Sequence, residues 1–198
     1  MNHTMKSFLL GGLLTTFAFS SVQAVELTEK GVKLGVNMAS FSGTDAQPDG
    51  VTNSSHAGVS VGGFGVWGIN DKLSLQSEVL FSQKGVTMDV AGTKTPINLS
   101  YLEVPVTVEF ALPVAGHKVN LFGGPYMGIL LAADSDGTDI KDNTKTIDYG
   151  LQLGAGTIFQ KKYLIDARYS MGLSSIDGTD NKADTKNSGF VISGGYLF

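Results

Sequence analysis

Charged side chains recur on one face of several apolar segments, and their placement suits ion chemistry better than covalent catalysis. Glu103 and Glu109 lie in the run 101–110, whose even positions are Leu, Val, Val, Val and Phe. Charges that share one face of neighbouring strands can line a pore and select ions, or they can pair with one another in a packed interior. The members of this predicted interior network are Lys33, Glu78, Glu103, Glu109, Asp166 and Arg168.

Two interpretations of this network stay open in the sequence. A pore lining would select ions, whereas a packed ion-pair network would only stabilise the fold. A barrel of eight strands is just wide enough for its own side chains, which favours the packed network. The four carboxylates of the set outnumber its two cations, so part of the set needs water or an additional cation as a partner.

Other catalytic or metal-binding chemistry finds little support. The chain has no cysteine, which excludes a disulfide framework, a thiolate metal site and a cysteine nucleophile. His56 and His117 are predicted at opposite ends of the molecule, so they cannot share a metal or serve one Ser-His-Asp triad. The Asp-rich segments 134–139 and 177–180 offer oxygen ligands for calcium, but we favour ordinary hydrated loops. We therefore predict no catalytic residue, no cofactor and no resident metal, and the net charge of −4 argues against nucleic acid.

The elements that must position these residues are eight segments of alternating polarity. In the run 101–110 the apolar residues recur with a period of two, which indicates a β-strand, and ten residues is the length of a tilted membrane-crossing strand. Phe64 and Val66 break the alternation of the second segment, so its faces are assigned less clearly. The predicted strands span residues 32–41, 57–69, 73–84, 101–110, 119–131, 149–159, 163–172 and 190–198.

The connections between these segments alternate in length, as in an outer-membrane barrel. Long polar loops are predicted at 42–56, 85–97, 133–146 and 174–187, and short turns at 70–72, 112–117 and 160–162. We therefore predict that residues 25–198 form an eight-stranded antiparallel up-and-down transmembrane β-barrel with both termini on the periplasmic side. A Lys or Arg costs about 2–4 kcal/mol at the lipid midplane, so Lys33 and Arg168 should point inward.

Two prolines fall inside predicted strands, where proline is normally avoided because it donates no hydrogen bond. Pro105 lies in the fourth predicted strand and Pro125 in the fifth. A short turn between these strands would bring both prolines to nearly the same height. We predict a local interruption of the hydrogen-bond ladder between them, such as a bulge.

The first 24 residues have the features of an export signal. Lys6 supplies a positive charge, residues 8–19 are mostly apolar, and Val22-Gln23-Ala24 presents small residues where a signal peptidase cleaves. The alternative is a membrane-anchoring helix, but the apolar run is short for a span of about 20 residues. We predict that residues 1–24 are a signal peptide that is removed after Ala24.

Several short motifs occur in order along nearly the whole mature chain. They are Gly35-Val36-Asn37, Leu75…Glu78-Val79, Lys84-Gly85, Tyr101-Leu102-Glu103-Val104-Pro105, Gly124-Pro125-Tyr126 and Gly194-Gly195-Tyr196-Leu197-Phe198. Their order and spacing resemble the porin-like outer-membrane β-barrel proteins that include the PorT-type proteins of Bacteroidetes. This resemblance implies a barrel in a Gram-negative outer membrane and carries over no catalytic residue. Tyr196 and Phe198 look like the C-terminal signal that the barrel-assembly machinery reads.

The predicted function is that of a small integral protein of the outer membrane, held in lipid and not an enzyme. It would act through exposed loops or in envelope integrity. The alternative is a narrow diffusion pore, porin-like, for small solutes or ions. A membrane-embedded enzyme would need catalytic groups that converge near one rim, and the loops show none. A soluble ligand-carrying barrel would have its polar and apolar faces reversed.

Overall fold

A computed structural model describes residues 26–114, 117–180 and 183–198 of the chain. The predicted signal peptide, 1–24, lies outside the described residues. Within them there are nine strands and one short 3-10 helix at Lys141–Asn143. The strands are β1 (Glu26–Ser42), β2 (Val51–Gly68), β3 (Leu73–Val90), β4 (Thr93–Val114), β5 (His117–Ser135), β6 (Thr138–Asp139), β7 (Ile147–Phe159), β8 (Tyr163–Gly172) and β9 (Lys186–Leu197).

Eight of these strands close into a ring. Each long strand pairs antiparallel with its two neighbours, and β6 only adds a two-residue hairpin to β5. The ring closes where β1 pairs with β9, from Gly31 opposite Leu197 to Ser42 opposite Lys186. Closure leaves no free sheet edge around the wall, which is the condition for strands in hydrocarbon. The predicted eight-stranded antiparallel up-and-down barrel is confirmed.

The two ends of the ring differ in their connections. One end, the short-turn rim, carries the turns 69–72 and 160–162 together with residues 26 and 198. The other end, the long-loop rim, carries the described segments 43–50, 136–146, 173–180 and 183–185 and one hairpin turn. The predicted alternation of connections is therefore present, with one exception described below.

Side chains alternate across the wall. Burial switches at each residue of β8, and in β4 Val106 is 37% exposed whereas Thr107 and Glu109 are 1% and 5% exposed. Most aliphatic side chains of the strands point away from the ring, and the buried charged side chains point into it. Phe64 and Val66, which break the alternation of β2, point inward and are 7% and 4% exposed. Apolar side chains on the outside and charged side chains on the inside are the reverse of the arrangement in a water-soluble barrel, and they are typical of a barrel that is surrounded by hydrocarbon.

The predicted long loop at 85–97 is wrong. β3 and β4 continue through it as a paired hairpin in which Val86 lies opposite Ile97, and the connection is only Ala91-Gly92. Both turn residues have positive φ, 52° and 88°, as in two-residue hairpin turns whose twist matches the strands. The period-two pattern thus extends further than the loop prediction allowed. β2 likewise starts early, at Val51, which shortens the first loop.

The two prolines interrupt the wall as predicted. Pairing between β4 and β5 stops after Pro105 and resumes at Val108 with the register unchanged. The gap lies beside Pro125 on the neighbouring strand. The predicted interruption is confirmed, but it is not a bulge, because the register shift of this strand pair lies between Ser100 and Tyr101.

Candidate functional site

A neutral group of four charged side chains lies in the barrel interior; we call Lys33, Glu78, Asp166 and Arg168 the first ion cluster. Lys33 Nζ lies 2.6 Å from Asp166 Oδ2 and 3.3 Å from Glu78 Oε1. Arg168 Nη2 lies 2.8 Å from Glu78 Oε1 and 3.2 Å from Asp166 Oδ1. All four side chains are at most 2% exposed. Each charge has two partners of opposite sign, which offsets the cost of removing it from water.

Strand geometry and one glycine hold the guanidinium of this cluster in place. Asp166 and Arg168 are two residues apart on β8, so they share its inward face. Arg168 also donates to Gln152 Oε1 at 3.1 Å and lies over the Phe122 ring, 5.2 Å from its centroid. A Cβ at Gly154 would collide with that ring. The glycine therefore leaves room for the aromatic side chain that supports the cation.

A second group of charges lies nearer the long-loop rim; we call Lys84, Glu103 and Asp148 the second ion cluster. Lys84 Nζ lies 2.5 Å from Glu103 Oε1 and 3.3 Å from Asp148 Oδ2. Asp148 is 0% exposed and accepts hydrogen bonds from Tyr126 Oη at 3.3 Å and Asn187 Nδ2 at 3.0 Å. Lys84 lies 4.5 Å from the centroid of the Tyr126 ring. Neutral donors and an aromatic face thus support a cluster that has one cation for two carboxylates.

Glu109 stands apart from both clusters. Its Oε2 accepts hydrogen bonds from Ser74 Oγ at 3.1 Å and Asn120 Nδ2 at 3.3 Å. Among the described residues it forms no ion pair. It borders a cavity of about 180 Å³ at the short-turn rim, which Glu29 and Lys118 also line. Its carboxylate is therefore held by neutral donors at the edge of the closed interior.

Two apolar clusters lie on either side of the charges. The one toward the short-turn rim consists of Phe64, Val66, Leu164 and Leu197. The one toward the long-loop rim consists of Leu99, Tyr101, Leu130, Ala133 and Ile176. Ile176 belongs to the segment 173–180, so this part of the loop packs over the opening and contributes to the closure. The ion clusters are enclosed between two apolar layers.

The loops of the long-loop rim are bonded to one another. Asp184 N–H donates to Asp45 Oδ2 at 2.7 Å, which joins the first loop to the last. Lys145 N–H donates to the carbonyl of Ile176 at 2.8 Å, which joins the two later loops. The result is a continuous surface, the rim platform, formed by the described residues 43–50, 136–146, 173–180 and 183–185.

The aspartates of the rim platform shape its turns. Asp177 Oδ1 accepts the N–H of Thr179 at 2.9 Å, and its Oδ2 accepts the N–H of Ala183 at 2.6 Å. The first of these bonds is the main cause that holds the pKa of Asp177 below its usual value. In the part of the chain that the structure describes, no three His, Cys, Asp or Glu side chains converge to hold a metal. The carboxylates act here as turn-closing acceptors.

Residues 5–178 match the family model described as the outer membrane protein beta-barrel domain. The chain belongs to this outer-membrane β-barrel family. Its structure is similar to that of Neisserial surface protein A (TM-score 0.57, 16% identity), over 85% of this chain and 97% of that one. It is also similar to OprG from Pseudomonas aeruginosa (TM-score 0.51, 11% identity), over 88% of this chain and 98% of that one. No curated protein matches the sequence.

Family and fold together place this barrel in the outer membrane, with its exposed aliphatic side chains in lipid. In the described part of the chain, no helix has the length and hydropathy to cross a membrane.

The structure brings the predicted interior network together in part. Lys84 and Asp148 are the members that sequence reasoning missed. Lys84 already lies on the polar, inward face of the predicted strand 73–84, so it could have been included in the network. Asp148 lies directly before the predicted strand 149–159, on the inward face of β7, so extending that strand by one residue would have found it. The predicted residues divide into the first ion cluster (Lys33, Glu78, Asp166 and Arg168), the second ion cluster (Glu103) and the short-turn rim (Glu109).

The remaining predicted residues lie at the rims. His56 is on β2 toward the long-loop rim, with Nδ1 3.5 Å from Thr87 Oγ1, and His117 begins β5 at the short-turn rim. The two histidines are therefore at opposite ends of the barrel. Tyr196 and Phe198, at the end of the chain, point outward and are 43% and 69% exposed.

Replacing Arg168 should destabilise the barrel strongly. In Arg168→Met, Glu78 and Asp166 keep only Lys33 as a cationic partner, so we expect the free energy of unfolding to fall by about 3–5 kcal/mol. Urea unfolding of the barrel refolded in phosphatidylcholine vesicles measures this loss. Lys72→Met, at an exposed turn, should change it by less than about 0.5 kcal/mol.

A second variant separates charge pairing from packing. Adding Glu78→Gln to Arg168→Met leaves one carboxylate, Asp166, for the one remaining cation, Lys33, so part of the lost stability should return. Arg168→Met as stable as the unmodified protein would contradict the ion-pair account.

Proposed function

We propose that the protein is a non-enzymatic outer-membrane barrel with a closed interior, which acts through its rim platform at the cell surface or in envelope integrity. The observation that carries this proposal is the enclosure of both ion clusters between two apolar clusters. Tyr101 and Asp148, on the side of the interior toward the long-loop rim, are each 0% exposed. An ion crossing the barrel would have to displace apolar side chains and separate paired charges.

In this proposal the short-turn rim faces the periplasm and the rim platform faces the exterior. Outer-membrane barrels have short periplasmic turns and longer extracellular loops. The predicted signal peptide at 1–24 would export the chain. Tyr196 on β9 and Phe198 directly after it would serve the barrel-assembly machinery as the assembly signal. The exposed Lys72, Lys161 and Lys162 at the short-turn rim would then meet periplasmic water or lipid headgroups.

PorT-like membership within the family is the narrower part of the proposal. It is supported by motifs such as Gly35-Val36-Asn37 and Gly124-Pro125-Tyr126. The second motif has a physical role in the wall, because a Cβ at Gly124 would collide with the carbonyl of Val106 beside the interrupted ladder. Gly124 of this motif therefore allows β4 and β5 to approach each other closely.

A narrow diffusion pore is the second candidate function. The observation in its favour is an excess of interior carboxylates, which would attract cations. Five carboxylates (Glu78, Glu103, Glu109, Asp148, Asp166) face three cations (Lys33, Lys84, Arg168) in the described interior.

Conductance separates the two candidates. The purified barrel inserted in planar phospholipid bilayers should show no single-channel steps, because side chains and paired charges fill its interior. Recordings should be made in 1 M KCl, with insertion checked by protection from protease. Reproducible steps of one size would overturn the closed barrel and establish the pore.

Labelling of single cysteines tests the orientation. Because the chain contains no cysteine, Asp136→Cys and Lys161→Cys each give one reactive site on opposite rims. A membrane-impermeant maleimide should label Asp136→Cys on intact cells and Lys161→Cys only after the outer membrane is permeabilised. The reverse pattern would place the rim platform in the periplasm.

A further inference from the structure

An apolar groove lies on the outer face of the wall, where β9 runs between β1 and β8. Its floor is Gly194, which lies directly opposite Leu34 on one side and Ile165 on the other. Leu34 and Ile165 are 61% and 52% exposed and form the groove walls. The groove has a volume of about 550 Å³ and extends to Tyr163 and Tyr196 near the short-turn rim.

Neither packing nor backbone conformation requires glycine at position 194. A Cβ placed there would meet only the carbonyl oxygen of Leu164, at 4.0 Å. Its φ lies outside the left-handed region. The missing side chain therefore leaves space on the lipid side of the wall that no protein atom uses.

The groups between the groove and the short-turn rim match the successive parts of a phospholipid, from the acyl chain to the headgroup. The rings of Tyr163 and Tyr196 meet edge to face, with centroids 5.8 Å apart, at the height where aromatic side chains favour the membrane interface. Beyond them, Lys30 Nζ lies 5.7 Å from the centroid of the Phe198 ring, and the exposed Lys162 directly precedes Tyr163. An apolar trough, an aromatic pair and Lys30 thus follow one another from the membrane interior to the rim, and Lys162 lies in the turn that precedes Tyr163.

We propose that this groove, the lipid groove, binds one phospholipid with an anionic headgroup. One acyl chain lies over Gly194 between Leu34 and Ile165, and the phosphate lies near Lys30 and Lys162. Bulk lipid touches every part of the wall, but an apolar trough that ends in two cations selects both a chain and a charge. This proposal goes beyond the closed barrel, because the groove is on the outer surface and does not depend on whether the interior conducts.

Native mass spectrometry of the full barrel tests the proposal. The barrel is extracted from nanodiscs that contain equal amounts of phosphatidylglycerol and phosphatidylcholine. The unmodified protein should retain one phosphatidylglycerol in preference to phosphatidylcholine. Each lysine should contribute about fivefold to this preference.

Two variants separate the chain contact from the charge contact. The double variant Lys30→Gln, Lys162→Gln should lose the preference for phosphatidylglycerol and still retain lipid. Gly194→Leu fills the trough and should lose retention of both lipids. Ala57→Leu, which adds the same bulk to an exposed position of β2, and Lys72→Gln, which removes another charge of the same rim, should retain lipid as the unmodified protein does.

A measurement on the unmodified protein covers the case in which a variant does not fold. Phosphatidylglycerol with a diazirine in one acyl chain should cross-link mainly to the peptides that contain Ile165 and Gly194. Labelling spread evenly over the wall, or equal lipid retention by Gly194→Leu and the unmodified protein, would overturn the lipid groove. Single-channel steps would overturn the proposal of a closed interior but would not change the lipid retention or the cross-linking pattern. A failure of the closed-interior proposal can therefore be told apart from a failure of the lipid-groove proposal.

Discussion

Hydrocarbon offers no hydrogen-bond partner to a peptide group and no counter-charge to an ion, and the structure follows from this constraint. β1 must pair with β9, because an open sheet edge in lipid would leave a row of unpaired backbone groups. Once the ring is closed, the two faces of each strand meet different solvents. The outward face takes the aliphatic side chains, and Lys33 and Arg168 take the inward face together with the carboxylates that neutralise them.

Because the charged side chains are enclosed and paired, the interior contributes to the stability of the barrel. The first ion cluster is neutral by itself, whereas the second relies on Tyr126 and Asn187 to support its additional carboxylate. The apolar layers on both sides exclude water and strengthen each of these interactions, because a lower dielectric constant raises the energy of a contact between charges. An interior of this kind stabilises the wall. The parts that remain free to meet other molecules are the rim platform and the lipid-facing surface.

The fold was largely predictable because its main signal is local. Period-two alternation identified β8 with the same bounds, Tyr163–Gly172, and it assigned both faces of β4. The interior was less predictable because its contacts depend on register between distant segments. Lys84 and Asp148 are 64 residues apart and meet only after the ring has closed. The inward orientation of the Phe64 side chain likewise depends on a distant residue, because Phe64 packs against Leu197 in the interior.

In this barrel the exposed aliphatic side chains face lipid, while the opposite face of each strand is enclosed. Tryptophan quenching tests it in a Trp67→Phe background, which removes the single native tryptophan. Phe190, 56% exposed on β9, and Phe64, 7% exposed inside the ring, give a matched pair of Phe→Trp variants. In vesicles of brominated phosphatidylcholine, we expect strong quenching for Phe190→Trp and little for Phe64→Trp. Strong quenching of Phe64→Trp with a protected Phe190→Trp would contradict this arrangement.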